Sequence, residues 1–217
     1  MKTLVILFQL LCFYLYLPAV ELSPDSISTV YKNGEFVTHY KIKFKAANKV
    51  VNDVSENLIS DFHNSPGNLF NWALKDLGLQ EKKENELTFI IKPSLFDEKT
   101  GITHGVFDII VPYITTFKNV KVDAIVAKKV HKSGGTEVSA DIIYSSLLLK
   151  NGLGTVTIIP QKNNEQLLIT KVSIKFGWFF NIFITRKRYK SIIEWRIKKF
   201  AENFKAECEK RQENPPD

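Results

Sequence analysis

The sequence predicts an α+β fold in which a curved, seven-stranded antiparallel sheet wraps around one long C-terminal helix. Three observations carry this. Tyr189, Ile193, Ile197, Phe200 and Phe204 recur at helical spacing, with Lys190, Glu194, Lys198, Glu202 and Lys205 on the other faces. That gives a helix with one apolar stripe, which needs a surface to lie on. The hundred residues before it alternate apolar and polar with a period of two, as half-buried strands do. Two short amphipathic stretches interrupt the pattern after the first strand.

The first strand is predicted over Phe36–Ala46, with Phe36, Tyr40, Ile42 and Phe44 on one face and His39, Lys41, Lys43 and Lys45 on the other. Residues 20–35 read as a polar lead-in. The period then becomes helical through Val50, Val51, Val54, Leu58, Ile59 and Phe62, with Asn48 as N-cap and His63 in the closing turn. Asn64-Ser65-Pro66-Gly67 breaks that helix. A second carries Leu69, Phe70, Ala73, Leu74 and Leu77 and ends at Gly78. Six strands follow, taken as Glu86–Lys92, Thr103–Val111, Val120–Val130, Glu137–Leu148, Thr155–Ile159 and Leu167–Phe176. Asp97–Gly101, Lys132–Gly135 and Pro160–Asn164 are the turns between them, and Asn151-Gly152-Leu153-Gly154 reads as a break. The domain is thus 36–212, with a disordered tail at 213–217.

The start of the chain is read separately. Lys2, an apolar run from Leu4 to Leu17, and Pro18-Ala19-Val20 before a polar segment describe a secretory signal peptide over residues 1–19. An uncleaved membrane anchor is the alternative. Removing residues 1–19 leaves 198 of the 217 residues, enough for one domain with a substantial core. Cys208 is then the one remaining cysteine, so the exported chain relies on its core without an intramolecular disulfide. The expected location is the periplasm or the exterior. Cys208 is expected to be partly buried near the frayed helix end.

The net charge of +7 is spread along the chain except at Arg186-Lys187-Arg188 with Lys190 and at Arg196, Lys198 and Lys199. Export argues against nucleic acid as the partner. These charges read either as a solvated helix face balanced by Glu194, Glu202 and Glu207 or as groups that meet anionic headgroups.

No catalytic residue, metal site or cofactor is indicated. His39, His63, His104 and His131 have no metal-ligand spacing, and no HExxH or Cys cluster is present. His104 and Asp108 share a strand face but lie roughly 13 Å apart along an extended chain. Asp97 and Glu98 sit in a turn. Asp123 and Asp141 are expected on the outer face, near lysines of neighbouring strands. Ser65, Ser145 and Ser146 lack the context of an activated nucleophile. Trp178-Phe179-Phe180-Asn181-Ile182-Phe183 puts five large apolar residues in six positions. It reads either as a cavity mouth or membrane-touching edge, or as an anchor packed under the sheet edge.

The order strand, helix, helix, six strands, long helix resembles the START-like superfamily, also called helix-grip, over roughly residues 36 to 211. The resemblance rests on element order and lengths, and no family residue carries over. It implies an apolar cavity between sheet and helix. The cavity candidates are Phe44, Trp72, Phe89, Phe107, Tyr144, Phe176, Trp178 and Phe180, with Arg186, Lys187 and Arg188 as a basic rim. The expected function is binding of an apolar or amphipathic, lipid-like small molecule without transforming it. The alternatives are a structural or interaction protein of the cell envelope with a filled core, and an enzyme of the cyclase or hydrolase type. Cavity volume separates the first two, and a buried acid or histidine facing an open pocket would favour the third.

Overall fold

A computed structural model describes residues 25–74, 88–132 and 134–213. The expected signal peptide, the helix end at Leu77 and Gly78, the start of the strand at Glu86 and the tail from Asn214 lie outside the described residues.

Among the described residues nine strands form one antiparallel sheet: β1 (Ile27–Lys32), β2 (Glu35–Lys45), β3 (Thr88–Ile91), β4 (Leu95–Asp97), β5 (Ile102–Val111), β6 (Thr115–Val130), β7 (Thr136–Ser145), β8 (Leu149–Pro160) and β9 (Glu165–Phe176). Their order is β1-β2-β9-β8-β7-β6-β5-β3, with β4 also on β5. The helices are α1 (Asn48–Asn64), α2 (Pro66–Leu74), a single turn α3 (Phe180–Phe183) and α4 (Arg186–Glu213). The sheet is curved and unclosed and holds α4 in its concave face, which is the helix-grip arrangement.

The count is nine strands where seven were expected. Residues 27–32, read as lead-in, pair with β2 from Ile27↔Tyr40 to Lys32↔Glu35. Asn33 and Gly34, at φ 56° and 80°, make the tight turn. An edge strand buries little, so Ile27–Lys32 carries no alternation to announce it. The other addition, β4, pairs only at Leu95–Asp97. The expected break at 151–154 is instead the interior of β8. Gly152 pairs with Ile174 and Gly154 with Val172 on one side, and Gly154 pairs with Ala140 on the other. Ladders on both sides outweigh the low strand propensity of glycine.

The predicted stripe of α4 is buried at Tyr189, Ile193, Ile197 and Phe204 and half-buried at Phe200. Ala201 and Cys208 are buried as well. The Tyr189 ring lies 4.1 Å from Phe36 and 5.6 Å from Phe176. Phe204 meets Phe44 edge-on at 6.3 Å. Cys208 is fully buried, unlike its expected place at a frayed end, because the helix continues to Glu213. Burial pushes its thiol up to about 12. The outer faces of α4 carry i,i+4 pairs, Lys190–Glu194 at 4.0 Å and Lys198–Glu202 at 3.9 Å. Exposed pairs of this kind contribute little.

The other helices are fixed to the sheet by close approaches. Gly105 lets Phe70 of α2 lie on β5, since a Cβ there would fall 2.5 Å from the Phe70 ring. Phe70 in turn meets Phe107 edge-on at 5.2 Å. Arg196 of α4 donates from Nη1 to the Ala73 carbonyl at 2.9 Å, tying α4 to α2. The start of α1 departs from expectation. Its cap position is Ala47, whose N–H donates to Gln212 Oε1 at 2.7 Å. Asn48 instead accepts from the buried Gln166 amide at 2.8 Å.

Candidate functional site

The concave face of the sheet does not meet the helices everywhere. A cavity of about 400 Å³ lies between them. Its floor is the inner face of β6 to β9, including Val126, Val138, Ala140, Gly154, Val156 and Val172. Its roof is Leu58 and Phe62 of α1, Leu69, Phe70 and Ala73 of α2, and Ile197 and Phe200 of α4.

Small residues explain why the space exists. Val126, Ala140, Gly154 and Val172 occupy one cross-strand row. At its centre Gly154 has no side chain. A Cβ there would find nothing nearer than 4.0 Å, so the position opens into the cavity. Ala140 adds one methyl. The helices above cannot sink into this hollow because Phe70 and Phe107 hold α2 on β5, while Tyr189 and Phe204 seat the two ends of α4 on β2 and β9.

Among the described residues, none that lines this cavity carries a titratable side chain. Its polar members are Asn68, Ser139, Thr155 and Thr170. Asn68 is exposed. Thr170 is 3 % exposed, and its Oγ1 has no hydrogen-bond partner. Two larger hollows, of about 640 and 720 Å³, are surface grooves that include charged side chains such as Glu56 and Lys128, or Asp61 and Lys199.

The candidate residues distribute unevenly. Phe176 lines the cavity. Phe107 lies fully buried behind Phe70, and Phe44 is buried against Phe204. Phe180 is fully buried at the start of α3, 5.8 Å from Phe117 and 5.3 Å from Phe179. Phe89 is half-buried on the edge strand β3. Trp72 is in α2, and its side chain lies outside the described residues.

Three placements correct the expectation. Tyr144 is 49 % exposed. The β6–β7 register shifts between Asp123 and Ala124, so Tyr144 faces Asp123 while Ile142 faces Ala124. Slipping one residue moves the side chain to the outer face. Trp178 is 72 % exposed, because Phe179 and Phe180 are the anchors of that segment. The basic residues do not rim the cavity. The Arg186 guanidinium stacks over Tyr31 at 4.1 Å. It precedes Ile197 by eleven residues, roughly 16 Å of helix.

His104, Asp108 and Asp97 are on the outer surface of the sheet or in a turn. His104 Nδ1 lies 2.8 Å from Asp123 Oδ1, a cross-strand pair on β5 and β6. Lys92 Nζ lies 2.8 Å from Asp108, which also accepts from the Asn119 N–H; these bonds hold the Asp108 carboxyl below its usual range. Asp97 accepts from the Thr100 hydroxyl and the Lys99 N–H within its turn, which lowers it likewise. None of these reaches the cavity. Among the described residues no group of three or more His, Cys, Asp or Glu could hold a metal ion. No helix among them is long and apolar enough to cross a membrane.

The arrangement is that of the START-like, helix-grip fold, with an apolar cleft between sheet and helices. No family model and no curated protein sequence matches the chain. Among solved structures it is similar to a START superfamily protein from Mycobacterium smegmatis, at 11% identity over 80% of this chain and 97% of that one, TM-score 0.44. It is also similar to the Zhui aromatase/cyclase from Streptomyces sp. R1128, at 7% identity over 82% and 95%, TM-score 0.43. A third is the STAR-related lipid transfer protein from Xanthomonas axonopodis, at 12% identity over 80% and 98%, TM-score 0.36. These are likenesses of fold alone.

Proposed function

We propose that this is an exported protein that binds an apolar or amphipathic, lipid-like small molecule in the cavity between sheet and helices and does not transform it. One observation carries this reading: a cleft of about 400 Å³ between sheet and helices whose described lining carries no titratable side chain. The volume falls within the roughly 300–1,000 Å³ usual for small-molecule sites. A filled core would have favoured a purely structural protein. An enzyme of the cyclase or hydrolase type needs a general acid or base near its substrate, and His104 and Asp123 pair with each other on the outer face of the sheet. Affinity would come from removing the ligand's apolar surface from water. Export rests on the apolar run from Leu4 to Leu17 after Lys2.

A peripheral membrane contact belongs to the same reading. Trp178 and Ile182 stand exposed beside Arg186 and Lys187, and Tyr113 and Ile114 are exposed in the β5–β6 turn. That turn leads to Phe117, whose ring meets Phe179 at 5.0 Å, so the two apolar tips share one end of the molecule. Exposed aromatic residues beside cations suit the interface of an anionic bilayer.

Native mass spectrometry of the purified protein tests the binding reading, together with titration by the neutral fluorophore N-phenyl-1-naphthylamine. Co-purifying neutral lipid or saturable fluorescence enhancement is expected. A ligand-free mass with no fluorescence response would overturn the reading.

A further inference from the structure

A surface groove of about 720 Å³ lies between α4 on one side and α1 and α2 on the other. One wall is a single i,i+4 ridge of α4, Trp195, Lys199, Asn203, Glu207 and Arg211. From Trp195 to Arg211 that ridge extends about 24 Å. The facing wall is Asn57 and Asp61 of α1 with Asn68 and Asn71 of α2. Buried Val54 and Phe204 and half-buried Leu58 and Phe200 complete the lining. Leu58, Asn68 and Phe200 also line the apolar cavity. The same side chains thus bound a polar, open space on one side and an apolar, covered one on the other.

The accessible charges of the groove cancel. Arg211 Nε donates to Glu207 Oε1 at 2.7 Å. With its amide oriented to accept, the Asn57 oxygen takes a hydrogen bond from Arg211 Nη1 at 2.7 Å. Arg196 is 5 % exposed and bound to the Ala73 carbonyl. Asp61 and Lys199, one charge of each sign, stand exposed on opposite walls. Asn68, Asn71 and Asn203 are exposed beside them. An amide both donates and accepts, as a hydroxyl does, so the two match in either sense. Trp195 is 67 % exposed. A large aromatic face open among polar groups marks a contact surface, and an indole can lie flat on the C–H face of a sugar ring. A charged head suits the groove less well, because Asp61 offsets Lys199 and Arg211 is already engaged by Glu207 and Asn57.

We infer that the groove holds the head of an amphiphile whose apolar tail lies in the cavity, and that this head is uncharged and rich in hydroxyls, as in a lipid bearing a sugar or polyol. Head and tail join across Leu58, Asn68 and Phe200. This rests on the ligand-binding reading above and names the class of its ligand.

The test is displacement of N-phenyl-1-naphthylamine by decyl maltoside, 1-decanol and decyl sulfate at submicellar concentrations, from wild type, Trp195→Ala and the double variant Asn71→Ala with Asn203→Ala. All three positions are exposed on helices and alanine favours helix, so both variants are expected to melt as wild type does. Each should weaken decyl maltoside about tenfold, the size of one or two net hydrogen bonds or one aromatic contact, and leave 1-decanol unchanged. Decyl sulfate should displace at least tenfold more weakly than decyl maltoside from wild type. Unchanged maltoside affinity in both variants would overturn the head site while leaving the cavity reading intact. Decyl sulfate equal to decyl maltoside would overturn the uncharged class. Calorimetric binding of free maltose, with no displacement of fluorophore by decyl maltoside, would separate groove from cavity and overturn the joint site. A wild type that takes up no fluorophore would overturn both this site and the reading beneath it.

Discussion

Gly154 stands opposite Ala140 across β7 and β8, so two adjacent positions at the middle of the sheet share a single methyl group between them. The hollow above them is the cavity. Gly154→Leu should fill it from the floor, because the nearest atoms to a Cβ there are 4.0 Å away. The variant is expected to fold with unchanged or raised stability and to lose fluorophore binding by tenfold or more. Thermal melts and titration measure both effects. Undiminished binding in a folded Gly154→Leu protein would move the site elsewhere.

The glycine after β9 has a different duty. Gly177 donates its N–H to the Leu148 carbonyl at 2.9 Å, and a Cβ on it would run into the Leu147 carbonyl oxygen. Backbone cannot yield as a side-chain tip does. Gly177→Ala should therefore destabilise the protein by about 2–3 kcal/mol, as overpacked sites do, read from the shift in urea midpoint. A change under a few tenths would show that the turn before α3 shifts freely.

His39 gives the pH dependence a sign. It lies on the outer face of β2 opposite Lys171 of β9. Partial burial first, then Lys171 and Lys41, lowers its pKa below the ordinary 6.5. A lowered folded-state value means that the unfolded chain binds the proton more readily. Stability is then fully present above about pH 6.5 and declines as pH falls through the folded value. His39→Gln should flatten that decline below about pH 6.5 in denaturation series. An equal slope in wild type and variant would remove His39 from the account.

The exposed apolar end predicts a surface effect. Trp178→Ala combined with Ile182→Ser should reduce co-sedimentation with phosphatidylglycerol-containing vesicles several-fold and leave fluorophore binding in the cavity unchanged. Substituting Lys187 alone should weaken the same partition in a salt-dependent manner. Equal sedimentation of all variants would leave this end without a membrane role.

Much of the architecture is legible in the residues because burial imposes a period. Tyr189 to Phe204 repeat at helical spacing since α4 touches the sheet along one stripe. Phe107, Ile109 and Val111 alternate since only one face of β5 meets the core. Gly134, at φ 81°, marks its hairpin. What escapes is whatever carries no burial signal or reverses it. Ile27–Lys32 is an edge strand with little to bury. Gly152 and Gly154 look like a break because propensity is local, whereas the two flanking ladders are not. Tyr144 keeps the inward phase in sequence, and a bulge that no pattern announces turns it out. The cavity is expected among bulky aromatic residues, yet the middle of its floor is Gly154 and Ala140, and of the described aromatic candidates Phe176 alone lines it. Large side chains fill space, so a void is better marked by glycine and alanine in the middle of a strand.

Cys208 closes the interior end of α4 with a thiol that cannot be reached while the helix stays seated. Its attack on any reagent must wait until the last turns of α4 lift from the sheet. Under conditions where the chain is otherwise folded, the rate of alkylation therefore times that lifting. If the ligand passes beneath α4, bound cargo would slow the clock, and the same sulfur would report how the container opens without any added label.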